Sequence, residues 1–559
     1  MNLFISLIIM CCSIVLAIVC KQLTTRIVQS VWFVLRKLSH SVTGGVLFFT
    51  VLTFATELFF GLCIYFPYPM VHDESAYVLA ADTFSSGRLT NPTHPLWEHF
   101  ESFHIINQPS YQAKYPPGQG AALAIGQVLF GYPIFGSWLV MAAANGAIFW
   151  MLCGWVPRRW AAYGGFLATL NASFLIDWGL TYWGGQVALL GGALLFGAYP
   201  RLKKKPQVNT AVILTCGLVI LANSRPYEGF LAAAPIAIAL LHWLFSKHRP
   251  AWSITTFRII VPILAILFPA FLWMGYYNYR VTGNMLTLPY ISWANQYQYK
   301  SMDRLLFSAK SEMAAATKRP PRIIYGYDFG NPDPKFELKM KPVETSLILK
   351  LLRFNSTYTV SFLITLVCCC GICSLFRNRE NIFATSISVL VIVATLAQAT
   401  SGNTHYIAPI GCLLILLQIQ CLRYVYQWKR NWRPVGKMVV TIMLVFAAQV
   451  TITTIASYAQ PIPASALHSW VSVKQQIQKK LASAEGNHLV LVKYDRDHNI
   501  HKEWVYNRAD IDNSKVIWAR VLEPEKNKKL IDYFKDRTIW IIEADNPRIR
   551  LIPYGHKHE

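Results

Sequence analysis

Runs of about twenty mostly apolar residues recur along this chain, and each is long enough to cross a bilayer as a helix. A backbone in lipid must satisfy its own hydrogen bonds, so such runs commit most of the chain to helices. We count about twelve candidates, near 3–20, 45–66, 120–153, 160–177, 184–200, 208–223, 229–246, 257–277, 356–376, 382–399, 405–422 and 435–456. The third is long enough to begin as an interfacial helix before it crosses. With 54% hydrophobic and 14% charged residues, the 559-residue length means many spans rather than several soluble domains.

Charge orders these runs. The formal net charge is +24, yet Lys and Arg sit in short clusters between apolar runs. Lys21/Arg26/Arg36/Lys37, Arg158/Arg159, Arg201/Lys203/Lys204/Lys205, Lys247/Arg249, Arg377/Arg379 and Arg423/Lys429/Arg430/Arg433 fall on every second connection. That is the signature of cytoplasmic loops, not of a nucleic-acid groove. The outer side then receives 71–120, 177–185, 223–228, 278–355, 401–406 and everything after 456. The first run has no preceding charge and no small-residue cleavage pattern, which argues against a cleaved signal peptide; which side holds the N-terminus is left open. All 12 cysteines lie in or beside apolar segments, which predicts no disulfide framework. Cys368, Cys369, Cys370 and Cys373 include a C-x-x-C spacing, but the surrounding Leu/Ile/Val run points to packing rather than metal.

After residue 456 the composition turns polar. An amphipathic helix at 466–482, β-like runs at 489–494, 516–522 and 538–543, and a helix at 525–535 predict a small α/β domain. The expected organisation is a transmembrane module, 1–456, including the outer loops 71–120 and 278–355, followed by a soluble extracytoplasmic domain, 457–559.

The polar chemistry collects on the outer side. Asp73 and Glu74 follow the second run, Lys114 and Tyr115 close the first outer loop, and Asp177, Tyr182 and Trp183 form the next outer turn. Arg225, Tyr227 and Glu228 form a further one, and Asn403, His405 and Tyr406 complete the set. Such turns can build one pocket at the membrane surface. An acid beside apolar walls can be tuned to accept a proton from a hydroxyl, although both acids also suit the N-terminus of a helix over 75–86. The fixed fork of Arg225 suits phosphate oxygens, with Lys114 and His405 as further phosphate candidates; an interfacial arginine paired with Glu228 or Asp177 is the plainer alternative. Tyr115, Asp177, Tyr182, Tyr227, Glu228 and Tyr406 are candidate substrate contacts. His72, His94, His99 and His104 have no recognised ligand spacing, and wet loop histidines are the expectation rather than a metal site. Glu57 lies inside a span, a position that is functional by default.

Taken together, His72-Asp73-Glu74 with Tyr77 and Ala80, Tyr115-Pro116-Pro117-Gly118, Tyr182-x-Gly184-Gly185, Arg225-Pro226-Tyr227-Glu228, Tyr277-Asn278 with Thr282-Gly283, and His405-Tyr406-x-x-Pro409 form a set. The set resembles the GT-C superfamily of integral-membrane glycosyltransferases that use polyprenyl-phosphate sugars. The nearest branch contains the protein O-mannosyltransferases and the lipid A aminoarabinose transferase. The resemblance covers roughly 52–457 and leaves the tail out. It implies a multi-span α-helical fold of GT-C type, with about 11–12 transmembrane helices, and a hexosyl or pentosyl transferase working with inversion. Asp73, with Glu74 beside it, would be the base, and Arg225 would hold the leaving phosphate. It further implies no obligatory cofactor or metal, a polyprenyl-phosphate sugar donor, a lipid or envelope-polymer acceptor, contact with membrane lipids but not nucleic acid, and a bacterial cytoplasmic (inner) membrane location. The competing reading is a secondary transporter or flippase for a lipid-linked or anionic substrate, for which Glu57 is the one supporting residue.

Overall fold

Helices dominate, as the apolar runs require. The computed structural model describes residues 21–247, 249–297, 347–360, 362–398, 403–429, 434–458, 470–495, 498–499 and 501–555. The apolar run 3–20 and most of the outer segment 278–355 lie outside the described residues. Among the described residues, seven helices are long and apolar enough to cross a membrane: Val42–Cys63, Ile134–Trp155, Pro226–Leu244, Trp252–Thr282, Arg379–Ala397, Thr404–Tyr426 and Val435–Tyr458. The pair Leu347–Tyr358 and Leu363–Cys370, bent by 94°, makes an eighth if it is one span. The chain is a multi-pass membrane protein. On Trp252–Thr282, Phe257, Phe268 and Phe271 are largely exposed, as side chains facing lipid would be.

Other apolar runs became shorter or more polar helices. The run 160–177 stops at Thr169, where Asn171 turns its side-chain oxygen to the backbone N–H of Ser173 and Phe174 (3.0 and 3.2 Å). The run at 208–223 forms a 17-residue helix, Val208–Ser224. The run 120–153 divides: Pro117–Phe130 ends at Gly131, whose φ of 79° a side chain would disfavour, and a new helix starts at Ile134. The basic stretch read as a connection contains a helix, Lys21–Leu38. Charged residues interrupt its apolar stripe, so it forms no continuous apolar run. Trp32 is buried there against Trp160 and Tyr426 and donates to Thr441 Oγ1 at 3.0 Å.

The chain forms two units. The first, Met1–Pro67, Ile134–Phe271 and Pro342–Gln460, is the helical one. Its core mixes large apolar side chains with hydrogen-bonded polar ones, such as Asn145 donating to Thr53 (2.9 Å) and Tyr163 donating to the Val440 carbonyl (2.7 Å). The second comprises Tyr68–Pro133, Leu272–Lys341 and Pro461–Glu559. It contains two sheets. In the small one, β1 (Asn91–Pro92), β2 (Ile105–Ile106) and β3 (Ser110–Ala113) are antiparallel in the order β1-β3-β2. In the tail, β4 (His488–Lys493), β5 (Val516–Arg520) and β6 (Thr538–Glu543) are parallel, with β7 (Ile552–Pro553) antiparallel at the edge, in the order β5-β4-β6-β7. The helices Trp470–Ser483 and Pro524–Tyr533 complete the α/β tail.

The sequence grouped the loop 71–120 with the membrane module, whereas the structure groups it with the tail. Ala76, Leu79, Phe100 and Tyr111 share one buried cluster with Leu489, Leu491, Ile517 and Leu530. Apolar residues too sparse to form a span find their partners about four hundred positions later.

Candidate active site

Each unit carries a polar cluster that holds candidate site residues. In the second unit it is built on the helix His72–Ser85, here termed the acid helix. Val71 is extended (φ −125°, ψ 162°) and serves as N-cap, so His72, Asp73 and Glu74 occupy the first turn, three residues earlier than the expected start. Glu74 is buried and folds back to accept from the N–H groups of Met70 (2.7 Å) and Val71 (3.2 Å). This is the capping alternative, realised for one of the two acids. One residue earlier, roughly 100° around the helix, Asp73 points elsewhere. The Tyr115 hydroxyl donates to Asp73 Oδ1, and His104 Nε2 lies 3.8 Å from Oδ2. The Asp73 side chain is 35% exposed, enough for a substrate to reach it.

The surroundings of Asp73 are rings and buried nitrogen bases. Tyr115 stacks on Tyr77 with centroids 4.5 Å apart. Lys114, 4% exposed, holds Nζ 3.6 Å from the Trp293 ring centroid, 4.8 Å from that of Tyr290 and 5.3 Å from that of Tyr115. Burial lowers the Lys114 amine to about 7, with the Asp73 charge offsetting part of the fall. Burial likewise lowers His72 to about 4, only partly countered by Glu503, and takes His104 well below the ordinary value, with the Lys114 charge adding to the effect. Burial thus disfavours the charged form of both imidazoles. His104 has a φ of 65°, the one non-glycine positive φ among the described residues, so its ring is held beside Asp73 by an unfavourable backbone.

The loop histidines are therefore not wet. His94 contacts Asp512 at 3.1 Å, and His99 bonds the Arg520 carbonyl oxygen at 2.8 Å. Both are buried by the tail, which spacing within the loop could not reveal. Among the described residues no group of three His, Cys, Asp or Glu side chains could hold a metal ion.

In the first unit the cluster forms where helices end. Pro226 disfavours helical geometry at the preceding residue, so Val208–Ser224 stops and Arg225 (φ −136°, ψ 77°) becomes a corner. The next helix starts at once, Gly229 N–H donating to the Arg225 carbonyl at 2.7 Å. The guanidinium lies 5.3 Å from the Tyr406 ring centroid. His405 is buried between Tyr406 and Trp183, at 4.5 and 5.1 Å between centroids. The 3-10 turn Thr404–Ile410 that carries His405 and Tyr406 rests on the helix Gly185–Lys204 at Gly192, where an added Cβ would collide with the Pro409 carbonyl oxygen. Tyr358 anchors the same turn, donating to the Thr404 carbonyl at 2.8 Å.

Of the residues singled out by sequence, Asp73, Lys114 and Tyr115 are brought together in one unit, and Arg225, His405 and Tyr406 in the other. Glu228 is buried on the first turn after Arg225 and feels its charge. Tyr182 is buried and donates to the Pro67 carbonyl at 3.2 Å, and the Asp177 carbonyl accepts from Thr181 at 2.6 Å, so both organise their own turn. Tyr227 is 42% exposed. Sequence reasoning missed Trp293, which joins Tyr290 over Lys114; their i,i+3 spacing on the helix Pro289–Tyr297 was the available signal. Glu57 is fully buried on its span with neither carboxyl oxygen hydrogen-bonded, and faces Gly179, where a side chain would meet it.

No protein-family model matches the chain, and no curated protein matches it. Solved structures do. The oligosaccharyltransferase of Archaeoglobus fulgidus in the apo form aligns with 89% of this chain and 69% of its own, with TM-score 0.49 and 10% identity. ArnT from Cupriavidus metallidurans in the apo state aligns with 90% of this chain and 93% of its own, with TM-score 0.49 and 12% identity. The same ArnT bound to undecaprenyl phosphate gives TM-score 0.48 and 11% identity over 90% of this chain and 94% of that one.

Proposed function

We propose that the protein is an inverting membrane glycosyltransferase that moves a hexosyl or pentosyl group from a polyprenyl-phosphate donor to an acceptor hydroxyl. The reaction takes place at the outer face of a bacterial cytoplasmic membrane, with the first outer loop and the tail extracytoplasmic. The observation carrying this reading is Asp73: a carboxylate at a helix N-terminus, partly open, fixed by the Tyr115 hydroxyl and ringed by aromatic side chains. The helix N-terminus favours its ionised form, which is the form a base requires.

In the transfer, Asp73 takes the proton of the acceptor hydroxyl as its oxygen bonds to the anomeric carbon. The bond from that carbon to the phosphate oxygen breaks, and the polyprenyl phosphate departs with the electron pair. In the first unit Arg225, with His405 and Tyr406 beside it, is the group proposed to hold the phosphate; in the second, Lys114 supplies a positive charge near Asp73 while it is protonated. Preorganised donors of this kind stabilise charge as it develops. Glu74 keeps the first turn of the acid helix in place rather than exchanging protons. Tyr115 in the second unit, and Asp177, Tyr182, Tyr227, Glu228 and Tyr406 in the first, remain the candidate substrate contacts, and no cofactor is obligatory.

The test is incubation of purified protein with labelled polyprenyl-phosphate sugars and membrane extract, for wild type and Asp73→Asn. Label should reach a lipid or polymer with wild type alone, while both proteins bind the lipid phosphate. Equal transfer by the variant would remove Asp73 from its role. Glu57, an unbonded carboxyl inside a span, favours a second reading as a carrier of a lipid-linked or anionic substrate. Ion-driven uptake into proteoliposomes without label transfer would establish that reading instead.

A further inference from the structure

The tail has no role in the reaction as written above, yet one of its segments reaches the first turn of the acid helix. Tyr506 places its hydroxyl 2.7 Å from His72 Nδ1 and 3.3 Å from the Phe103 carbonyl oxygen, which lies next to His104. Two residues on, Arg508 bonds Asp82 at 2.7 Å, and the N–H of Ala509 donates to the same carboxylate at 2.8 Å. Asp82 sits two and a half turns along the acid helix from Asp73. Burial raises the Asp82 pKa, but Arg508 and the Ala509 amide outweigh it and keep the group ionised. The segment thus grips the acid helix at its N-terminal turn and again toward its C-terminal end.

The grip is backed from within the tail. Glu503, buried, pairs with Arg520 and accepts from the Tyr494 hydroxyl and from the Val505 N–H (2.8 Å). Arg520 in turn donates through Nε to the Glu101 carbonyl at 2.9 Å. A buried ion pair held by further hydrogen bonds on both partners has few alternative geometries. Its fixed points are the segment that ends in Tyr506 and the loop that ends in His104. Both flank Asp73, whose immediate neighbour in sequence is His72.

Resting on the glycosyl-transfer reading, we propose that Trp504–Ala509 is a positioning clamp for the acid helix, and that Tyr506 sets the Asp73 carboxylate through His72 and the Phe103–His104 backbone. Tyr506 is a positioning residue: its hydroxyl bonds His72 and the Phe103 carbonyl and acts on Asp73 through them. Its removal should disturb orientation rather than affinity, because the donor-binding groups are untouched.

The experiment uses the full-length protein as wild type, Tyr506→Phe and Arg508→Met, with exposed Lys529→Ala as control. Steady-state transfer and hydrogen exchange of the peptide covering 72–85 are measured on each. Tyr506→Phe keeps the ring, and should lower kcat by about tenfold to a hundredfold with KM for the donor and Tm held, while amides of the first turn exchange faster. Arg508→Met should speed exchange around Asp82 and lower kcat less. Wild-type kcat in Tyr506→Phe, or unchanged exchange over 72–85 in both variants, overturns the clamp. A rise in KM with kcat intact overturns it too, by placing Tyr506 at the substrate. If wild type transfers no sugar, the glycosyl-transfer reading fails, and exchange over 72–85 alone decides whether the segment clamps the helix.

Discussion

The two polar clusters solve opposite electrostatic problems. Around Asp73 every neighbouring base can lose or gain a proton, and burial has moved each toward neutrality: His72 to about 4, His104 well below its ordinary value, Lys114 to about 7. Around Arg225 the charge is permanent, set against the Tyr406 ring, with His405 buried beside it. A group that must accept a proton gains from neighbours that do not compete for it. A group that must hold an anion gains from a charge that pH cannot remove. Under the proposed transfer the contrast is a division of labour that composition conceals, since both clusters read in sequence only as polar residues between spans.

The contrast can be broken most forcefully at Asp73. Asp73→Asn should lower kcat by about 10² to 10⁴ and leave lipid-phosphate binding intact, as transfer assays and a binding assay on the same preparation would report. At the other cluster, Arg225→Met should lower kcat/KM for the donor by about 10² to 10³. Arg225→Lys should recover only part of that, because an ammonium lacks the planar fork; full recovery would reduce the corner to a simple point charge.

The third prediction concerns acid. His72 has a folded pKa of about 4, below the ordinary 6.5, so the unfolded chain takes up its proton first as pH falls. Its contribution is intact above pH 6.5 and is lost as pH drops toward 4, to a total of about 3 kcal/mol. His72→Gln should flatten that part of the Tm-against-pH curve, while Arg225→Met should leave it unchanged. The smallest effect is expected at Glu74→Gln, which weakens the back-bonds to Met70 and Val71. We expect about 1 kcal/mol of stability and a far smaller kcat loss than at Asp73. Equal losses would mean that the two adjacent acids share the chemistry.

Much of this was legible in the chain. The apolar runs gave most of the spans but overcounted them, about twelve runs against seven helices, or eight with the bent pair, among the described residues, and the β-like runs 489–494, 516–522 and 538–543 located β4, β5 and β6 to within two residues. Arg225-Pro226 announced a corner, since proline restricts the residue before it. The burial of His94 and His99 was not legible, because their partners lie 418 and 421 positions away. Nor was the separation of Asp73 from Glu74, which depends on where the helix starts. A shift of three residues moved both acids from the cap region into the first turn and gave them different directions. The helix Lys21–Leu38 was hidden for a different reason: an amphipathic stripe buries Trp32 and Leu35 without ever producing a continuous apolar run.

The contact at Gly192 carries a consequence for how such a chain can vary. The turn bearing His405 and Tyr406 is seated there on bare main chain, with the Pro409 carbonyl filling the space a methyl group would occupy. Its height is fixed by atomic radii, and no neighbouring rotamer change can make room. Even alanine at 192 would lift the whole turn away from its bed, so a residue without a side chain sets where two aromatic rings of another segment stand.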